Sequence, residues 1–206
     1  MNPPAFDFNQ QPFIVIWETT RVCDLACVHC RAAAQLEPLP GELAHAEAMD
    51  LVDQVAAMGT FGSVFSGGDP LKRLDLLELL RHGKRRGVRV GTIPAATPRL
   101  TLAVVQSLKE VGLDQMALSL DFSVAEAHDR FRGVHGVFDK VSDPASARGA
   151  ATGPRGERTK LVSLGWSWTR WFHWAIAGHG QRRQRSFVHF GDRRRISQRV
   201  FAPADW

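Results

Sequence analysis

No stretch of this 206-residue sequence approaches the roughly 20 consecutive apolar residues that a membrane-crossing helix requires. The opening residues, Met1-Asn2-Pro3-Pro4-Ala5-Phe6, carry neither a basic segment nor a long apolar one. They predict no secretory leader and a cytoplasmic protein. Cysteine is scarce and odd in number: Cys23, Cys27 and Cys30, with none after. A disulfide framework is thereby excluded, since cytosolic thiols stay reduced and one would be left over. Disorder over the whole length is excluded too, because 44% hydrophobic and 23% charged residues are the proportions of an ordinary globular chain. The length suits one domain with a substantial core and is short for two.

The charge is unevenly placed. Residues 1–141 hold 14 Lys and Arg against 17 Asp and Glu, a balance of −3, whereas residues 142–206 hold 12 against 4, a balance of +8. The apolar pattern divides at the same point. Within 1–141, Phe13 to Trp17 reads as a short buried strand. Ala48, Leu51, Val52 and Val55 then recur at helical spacing, with Gly59 placed to end the helix. Thr60 to Phe65 returns to a strand. Leu71, Leu74, Leu77 and Leu80 predict a second helix, closed by Lys84, Arg85 and Arg86, cations that complement the helix dipole, and by Gly87. Val88 to Ile93 is a third strand; Val104, Val105, Leu108 and Val111 mark a third helix before Gly112; Asp114 to Leu120 alternates as a fourth strand. Units of about 30 residues predict an α/β chain with a parallel sheet or barrel and right-handed crossovers.

After Val141 the rhythm stops. Leu, Ile and Val number 35 in residues 1–141 and 7 in the last 65. Five of the six tryptophans and eleven arginines fall in this region, with no heptad, strand alternation or repeat. Such a segment reads as a poorly ordered basic tail. It also reads as a shifted frame of a GC-rich gene, which yields Arg, Gly, Ala, Pro and Trp and erases apolar periodicity.

The chemistry concentrates in one loop. Cys23, Cys27 and Cys30 are spaced C-x3-C-x2-C directly after the first strand. Three thiolates can bind three irons of a cubane cluster and leave the fourth iron open for a cofactor or substrate. In a parallel barrel this loop lies on the C-terminal face, where active sites are built. Other readings remain. A zinc shell of the three cysteines with His29 would be strained, with four ligands inside eight residues. Buried structural cysteines and a redox pair at Cys27 and Cys30 are further readings, although a third nearby thiol is foreign to the latter.

This stretch closely resembles the signature of the radical S-adenosylmethionine (radical SAM) superfamily. The resemblance implies that Cys23, Cys27 and Cys30 ligate a 4Fe-4S cluster whose fourth iron is chelated by S-adenosylmethionine. It also implies reductive cleavage of that cofactor to a 5′-deoxyadenosyl radical, hydrogen abstraction from a substrate, and an electron donor such as a flavodoxin or ferredoxin. His29 takes the place of a usually aromatic residue that lies near the adenine in relatives. The resemblance covers residues 12–141, four of the six βα units of the family's partial barrel, with 142–206 unassigned. A chain so shortened would expose sheet edges, bind a cluster poorly and turn over little.

Two further elements fit the same resemblance. Ser66-Gly67-Gly68-Asp69-Pro70 follows the second strand. By itself it is a turn and a helix start, with glycines that permit close backbone approach and a carboxylate able to accept from an ammonium group. It is similar to the family's Gly-Gly-Glu-Pro element, which binds the methionyl amine; Asp69 stands in place of Glu. Ser119 and Asp121, two apart and so on one side of a strand, resemble a Ser-Leu-Asp-Gly element near the ribose or substrate, with Phe122 in place of its glycine. His128 to Gly133 and Gly136 to Phe138 also resemble the superfamily and read as structural. The Trp17-Glu18-Thr19-Thr20 lead-in and the His29-Cys30-Arg31-Ala32 stretch resemble the branch of the superfamily associated with haem-type cofactor synthesis, which implies a tetrapyrrole substrate; maturation of a peptide or quinone cofactor is the alternative. A different class remains in the tail. Arg182, Arg183, Arg185 and Arg193 to Arg195, interleaved with aromatics, could contact nucleic-acid phosphates and stack on bases. No recognised nucleic-acid motif accompanies them.

Overall fold

The computed structural model describes residues 11–142 and 200–201. Strands β1 (Ile14–Glu18), β2 (Gly62–Ser66), β3 (Arg89–Thr92) and β4 (Gln115–Met116) lie side by side and parallel. Helices α1 (His45–Ala57), α2 (Leu76–Arg85) and α3 (Leu102–Glu110) make the crossovers between them. Two shorter helices, α4 (Ala125–Arg132) and α5 (Val137–Ser142), follow β4. A two-residue strand β5 (Val200–Phe201) runs antiparallel on the free edge of β1, giving the order β4-β3-β2-β1-β5. This is the expected α/β architecture with four parallel strands.

Burial explains why these segments take these forms. The last four residues of β1 and most of β2 are buried, as befits strands covered on both faces. Val15, Trp17 and Phe65 from these strands meet Leu51, Val52 and Val55 of α1, Leu79 and Leu80 of α2, and Leu108 of α3 in one core. The Trp17 and Phe65 rings are 5.6 Å apart and tilted, a favoured aromatic arrangement. Gly59, Gly87 and Gly112 each close a helix with positive φ, where an L side chain would clash. Thr101 caps α3 by accepting from the Val104 N–H.

Two expectations need correction. The Leu71, Leu74, Leu77, Leu80 stripe is not the buried face of a helix. Asp69 and Pro70 start a separate 3-10 turn, Pro70–Lys72, and α2 begins only at Leu76. Its buried face is Leu76, Leu79, Leu80 and Gly83, while Leu74 is 98% exposed. The fourth strand stops at Met116, so Ser119 and Asp121 lie in the irregular segment beyond it. Among the described residues beyond 142, Val200 and Phe201 form β5 and pair with Trp17 and Ile16 at the edge of β1. Trp166, Trp168, Trp171, Trp174 and the arginine groups at 182–185 and 193–195 lie outside the described residues. Among the described residues, no helix is long and apolar enough to cross a membrane.

Candidate functional site

A parallel sheet brings the loops after all its strands to one end. The loop after β1 carries the cysteines and closes on itself. Cys23 N–H donates to the Gln35 carbonyl at 2.9 Å, and Gln35 N–H donates to the Arg21 carbonyl at 2.9 Å. The Glu42 carboxylate ties its base, accepting from the Arg21 N–H at 2.8 Å and the Thr20 hydroxyl at 3.1 Å. Two ion pairs hold its flanks: Arg31 to the buried Glu18 at the end of β1, at 2.8 Å, and Lys72 to Asp24.

The Ser66 to Pro70 segment locks against the same loop. The Ser66 carbonyl accepts from both the N–H and the hydroxyl of Thr19. Gly68 N–H donates to the Thr20 carbonyl at 2.8 Å and Asp69 N–H to the Val22 carbonyl at 2.7 Å. Both glycines are required by this contact. A β-carbon on Gly67 would stand 2.3 Å from the Thr20 carbonyl oxygen. The close approach that these glycines permit is thus toward the cysteine loop's own backbone. Asp69 is fully buried, and its carboxylate accepts from the Thr97 hydroxyl at 2.7 Å, the Leu71 N–H at 3.1 Å and the Ala95 N–H at 3.4 Å. It fastens the loop after β2 to the loop after β3.

The far side of the cysteine loop rests on the end of α4. Ala26 N–H donates to the Arg132 carbonyl at 3.1 Å and Val28 N–H to the Phe131 carbonyl at 3.0 Å. Gly133, with φ of 72°, admits this contact, since a β-carbon there would meet the Ala26 oxygen at 2.5 Å. His29 stacks on Phe131 with ring centroids 4.3 Å apart and planes within 10°, and Phe122 meets Phe131 edge-on at 5.3 Å. Asp121 accepts from Arg132 Nε at 2.6 Å, and its own N–H donates to His128 Nδ1 at 3.2 Å. Ser119 is half-buried two residues before Asp121.

Each cysteine sulfur accepts one N–H: Cys23 from Leu25 N at 3.4 Å, Cys30 from Ala34 N at 3.3 Å, and Cys27 from Arg132 Nη1 at 3.9 Å. Burial pushes the Cys23 thiol up to about 11, opposed by the Leu25 N–H. Burial raises Cys27 as well, opposed by the charge and hydrogen bond of Arg132. His29 is lowered by partial burial and by the same guanidinium. Among the described residues, no three His, Cys, Asp or Glu side chains gather as the shell of a single metal ion. Three thiols presented from one loop with donors on their sulfurs suit a cluster, whose irons each take a separate thiolate.

A sequence model described as the radical SAM superfamily matches residues 17–142. The chain belongs to this superfamily. Its relatives include the AdoMet-dependent heme synthase of Oleidesulfovibrio alaskensis, 43% identical over 127 residues that cover 62% of this chain and 32% of that protein. The pre-heme d1 synthase of Dinoroseobacter shibae is 30% identical over 139 residues, covering 68% of this chain and 34% of the relative. The chain spans about a third of the length of the curated relatives it matches. Streptococcus suis SuiB, solved with S-adenosylmethionine bound, shares the fold at a TM-score of 0.53 and 19% identity, over 61% of this chain and 29% of that one. Radical SAM proteins in general use S-adenosylmethionine and an iron–sulfur cluster. In the sequence Glu18 reads only as part of the lead-in, and Phe131 and Arg132 only as part of a structural stretch; local pattern assigns none of them, nor Arg31, a contact with the cysteine loop. Glu18 and Arg31 flank the motif on either side, but Arg132 lies 105 positions from Cys27 and gives no local signal.

Proposed function

We propose that residues 12–141 form the cofactor-binding core of a radical SAM enzyme of haem-type tetrapyrrole synthesis, with 142–206 outside that core. The observation that carries the reading is the cysteine loop itself. Three sulfurs lie at the C-terminal end of a parallel sheet, each accepting an N–H, in a loop pinned by β1, β2 and α4. Cys23, Cys27 and Cys30 would hold a 4Fe-4S cluster. The chemistry that cluster and S-adenosylmethionine supply together when bound is one-electron cleavage of the sulfonium to a 5′-deoxyadenosyl radical. An external donor such as a flavodoxin or ferredoxin would deliver the electron.

The chain's own residues set the frame for that chemistry. Ser66, Gly67 and Gly68 bring backbone groups beside the cysteine loop, while buried Asp69 holds two loops in register rather than presenting a free carboxylate. His29 on Phe131 offers an exposed flat surface next to Cys30, suited to an aromatic base. Asp121 and Ser119 edge the same end of the sheet. The tetrapyrrole assignment is supported by the two relatives named above, a heme synthase and a pre-heme d1 synthase.

Anaerobic assembly with iron and sulfide tests the reading. The full chain should take up iron and sulfide in matching amounts, up to about four of each, and Cys23→Ala, Cys27→Ala and Cys30→Ala should each lose the cluster. S-adenosylmethionine should alter the electron paramagnetic resonance spectrum of the reduced form. Uptake of one zinc and no sulfide would overturn the assignment.

A further inference from the structure

We infer that Arg132 is a positioning residue for the iron–sulfur group, a side-chain donor to the Cys27 sulfur that raises the group's reduction potential, with Asp121 fixing its guanidinium. The inference rests on the cluster reading of the three cysteines. On Cys23 and Cys30 the sulfur's donor is a backbone N–H, set by the path of the loop. On Cys27 it is Arg132 Nη1. Three separate ties place it there. The Arg132 and Phe131 carbonyls accept from Ala26 and Val28, the residues on either side of Cys27. Gly133 lets the two backbones come this close. Asp121 accepts from Nε at 2.6 Å, which turns the remaining guanidinium N–H groups to the sulfur.

The direction of the effect follows from charge. Adding an electron makes an iron–sulfur cluster more negative, so a donor on a ligand sulfur favours the reduced form more than the oxidised form. The Arg132 side chain is 11% exposed. Solvent therefore screens it weakly, and its contribution exceeds that of a surface cation. Asp121 offsets part of the charge but leaves the directed N–H in place. A purely structural Arg132, one that only holds α4 to Asp121, would affect stability and leave the potential unmoved.

The test is potentiometry on reconstituted full-length chain, followed by electron paramagnetic resonance, with circular dichroism to establish folding. Arg132→Gln should load a cluster with a more negative midpoint than wild type, and Arg132→Lys, which keeps the charge, should fall between the two. Identical midpoints in all three overturn the inference. If Arg132→Gln folds but holds no cluster, the Lys variant decides, and a midpoint equal to wild type overturns it. A wild-type chain that assembles no iron–sulfide chromophore fails at the earlier step, and removes the cysteine reading before Arg132 is tested.

Discussion

Gly68 packs beneath Val22 so closely that a β-carbon at position 68 would stand 2.5 Å from the Val22 carbonyl oxygen and 2.7 Å from that of Arg21. Both obstacles are backbone, which cannot rotate aside. Gly68→Ala must therefore push the base of the cysteine loop away from β2. The expected result is a loss of about 1–3 kcal/mol in urea unfolding, the usual range for overpacking, together with lower iron uptake. Unchanged stability and loading would show that the contact is dispensable.

Asp69 makes the next case. The family's motif has Glu at this place, yet restoring it here should do harm. The carboxylate is fully buried and already accepts from the Thr97 hydroxyl, the Leu71 N–H and the Ala95 N–H, so another methylene would displace it from these donors. Asp69→Glu is expected to lower stability by about 1–3 kcal/mol. Asp69→Ala should cost a similar amount through buried donors left unpaired. A Glu variant as stable as wild type, by urea midpoint, would contradict the tight fit.

Much of this arrangement was legible from local pattern. The β1 and α1 apolar spacings, and the glycines at 59, 87 and 112, depend on neighbours a few residues away, and the structure places them as read. The leucine stripe from Leu71 misled because Pro70 begins a 3-10 turn that puts Leu71 on one element and Leu77 and Leu80 on another. The motif cysteines were visible as spacing alone. What supports them was not, because the Arg132 donor and the Thr97 partner of Asp69 come from distant loops that only the parallel sheet brings together. Nor did two adjacent glycines reveal what they approach.

Ala33 sits in the cysteine loop with φ of 48°, a left-handed conformation in which its β-carbon crowds the backbone. That conformation costs an L residue roughly 1–2 kcal/mol. Ala33→Gly removes the crowding but adds freedom to the unfolded chain, so the net gain should be below about 1 kcal/mol. Urea unfolding would show it as a higher midpoint. A lower midpoint would mean that the strain is not borne at this residue.

His128 is fully buried, and its Nδ1 accepts from the Asp121 N–H, so the proton sits on Nε2 and the ring is neutral. Burial, and then the Arg132 charge, lower its pKa below the ordinary 6.5. The unfolded chain therefore binds the proton more readily than the folded one. Stability linked to this group is complete above pH 6.5 and declines as pH falls below it. Wild type should lose urea midpoint between pH 7 and about pH 5, while His128→Asn, whose amide oxygen can accept the same N–H, should lose less. Parallel declines in the two proteins would assign the loss to other groups.

Asp129 governs a lower window. Its carboxylate accepts from the Phe138 N–H at 2.8 Å and from the Gly136 N–H, capping the start of α5. The Phe138 hydrogen bond is the main cause that holds its pKa below the ordinary 3.8, against some opposition from burial. For a lowered carboxylate the stabilisation is present above the unfolded value and disappears as pH falls through the folded one. Asp129→Asn, able to accept through one oxygen only, should be less stable than wild type at pH 7. The gap should narrow below about pH 3.8, where the wild-type carboxyl also takes a proton and gives up an acceptor. The check is the difference in urea midpoints at pH 7 and near pH 3. If that difference is the same at both, the cap does not titrate with folding, and α5 is held by Val137 and Val141 in the core instead.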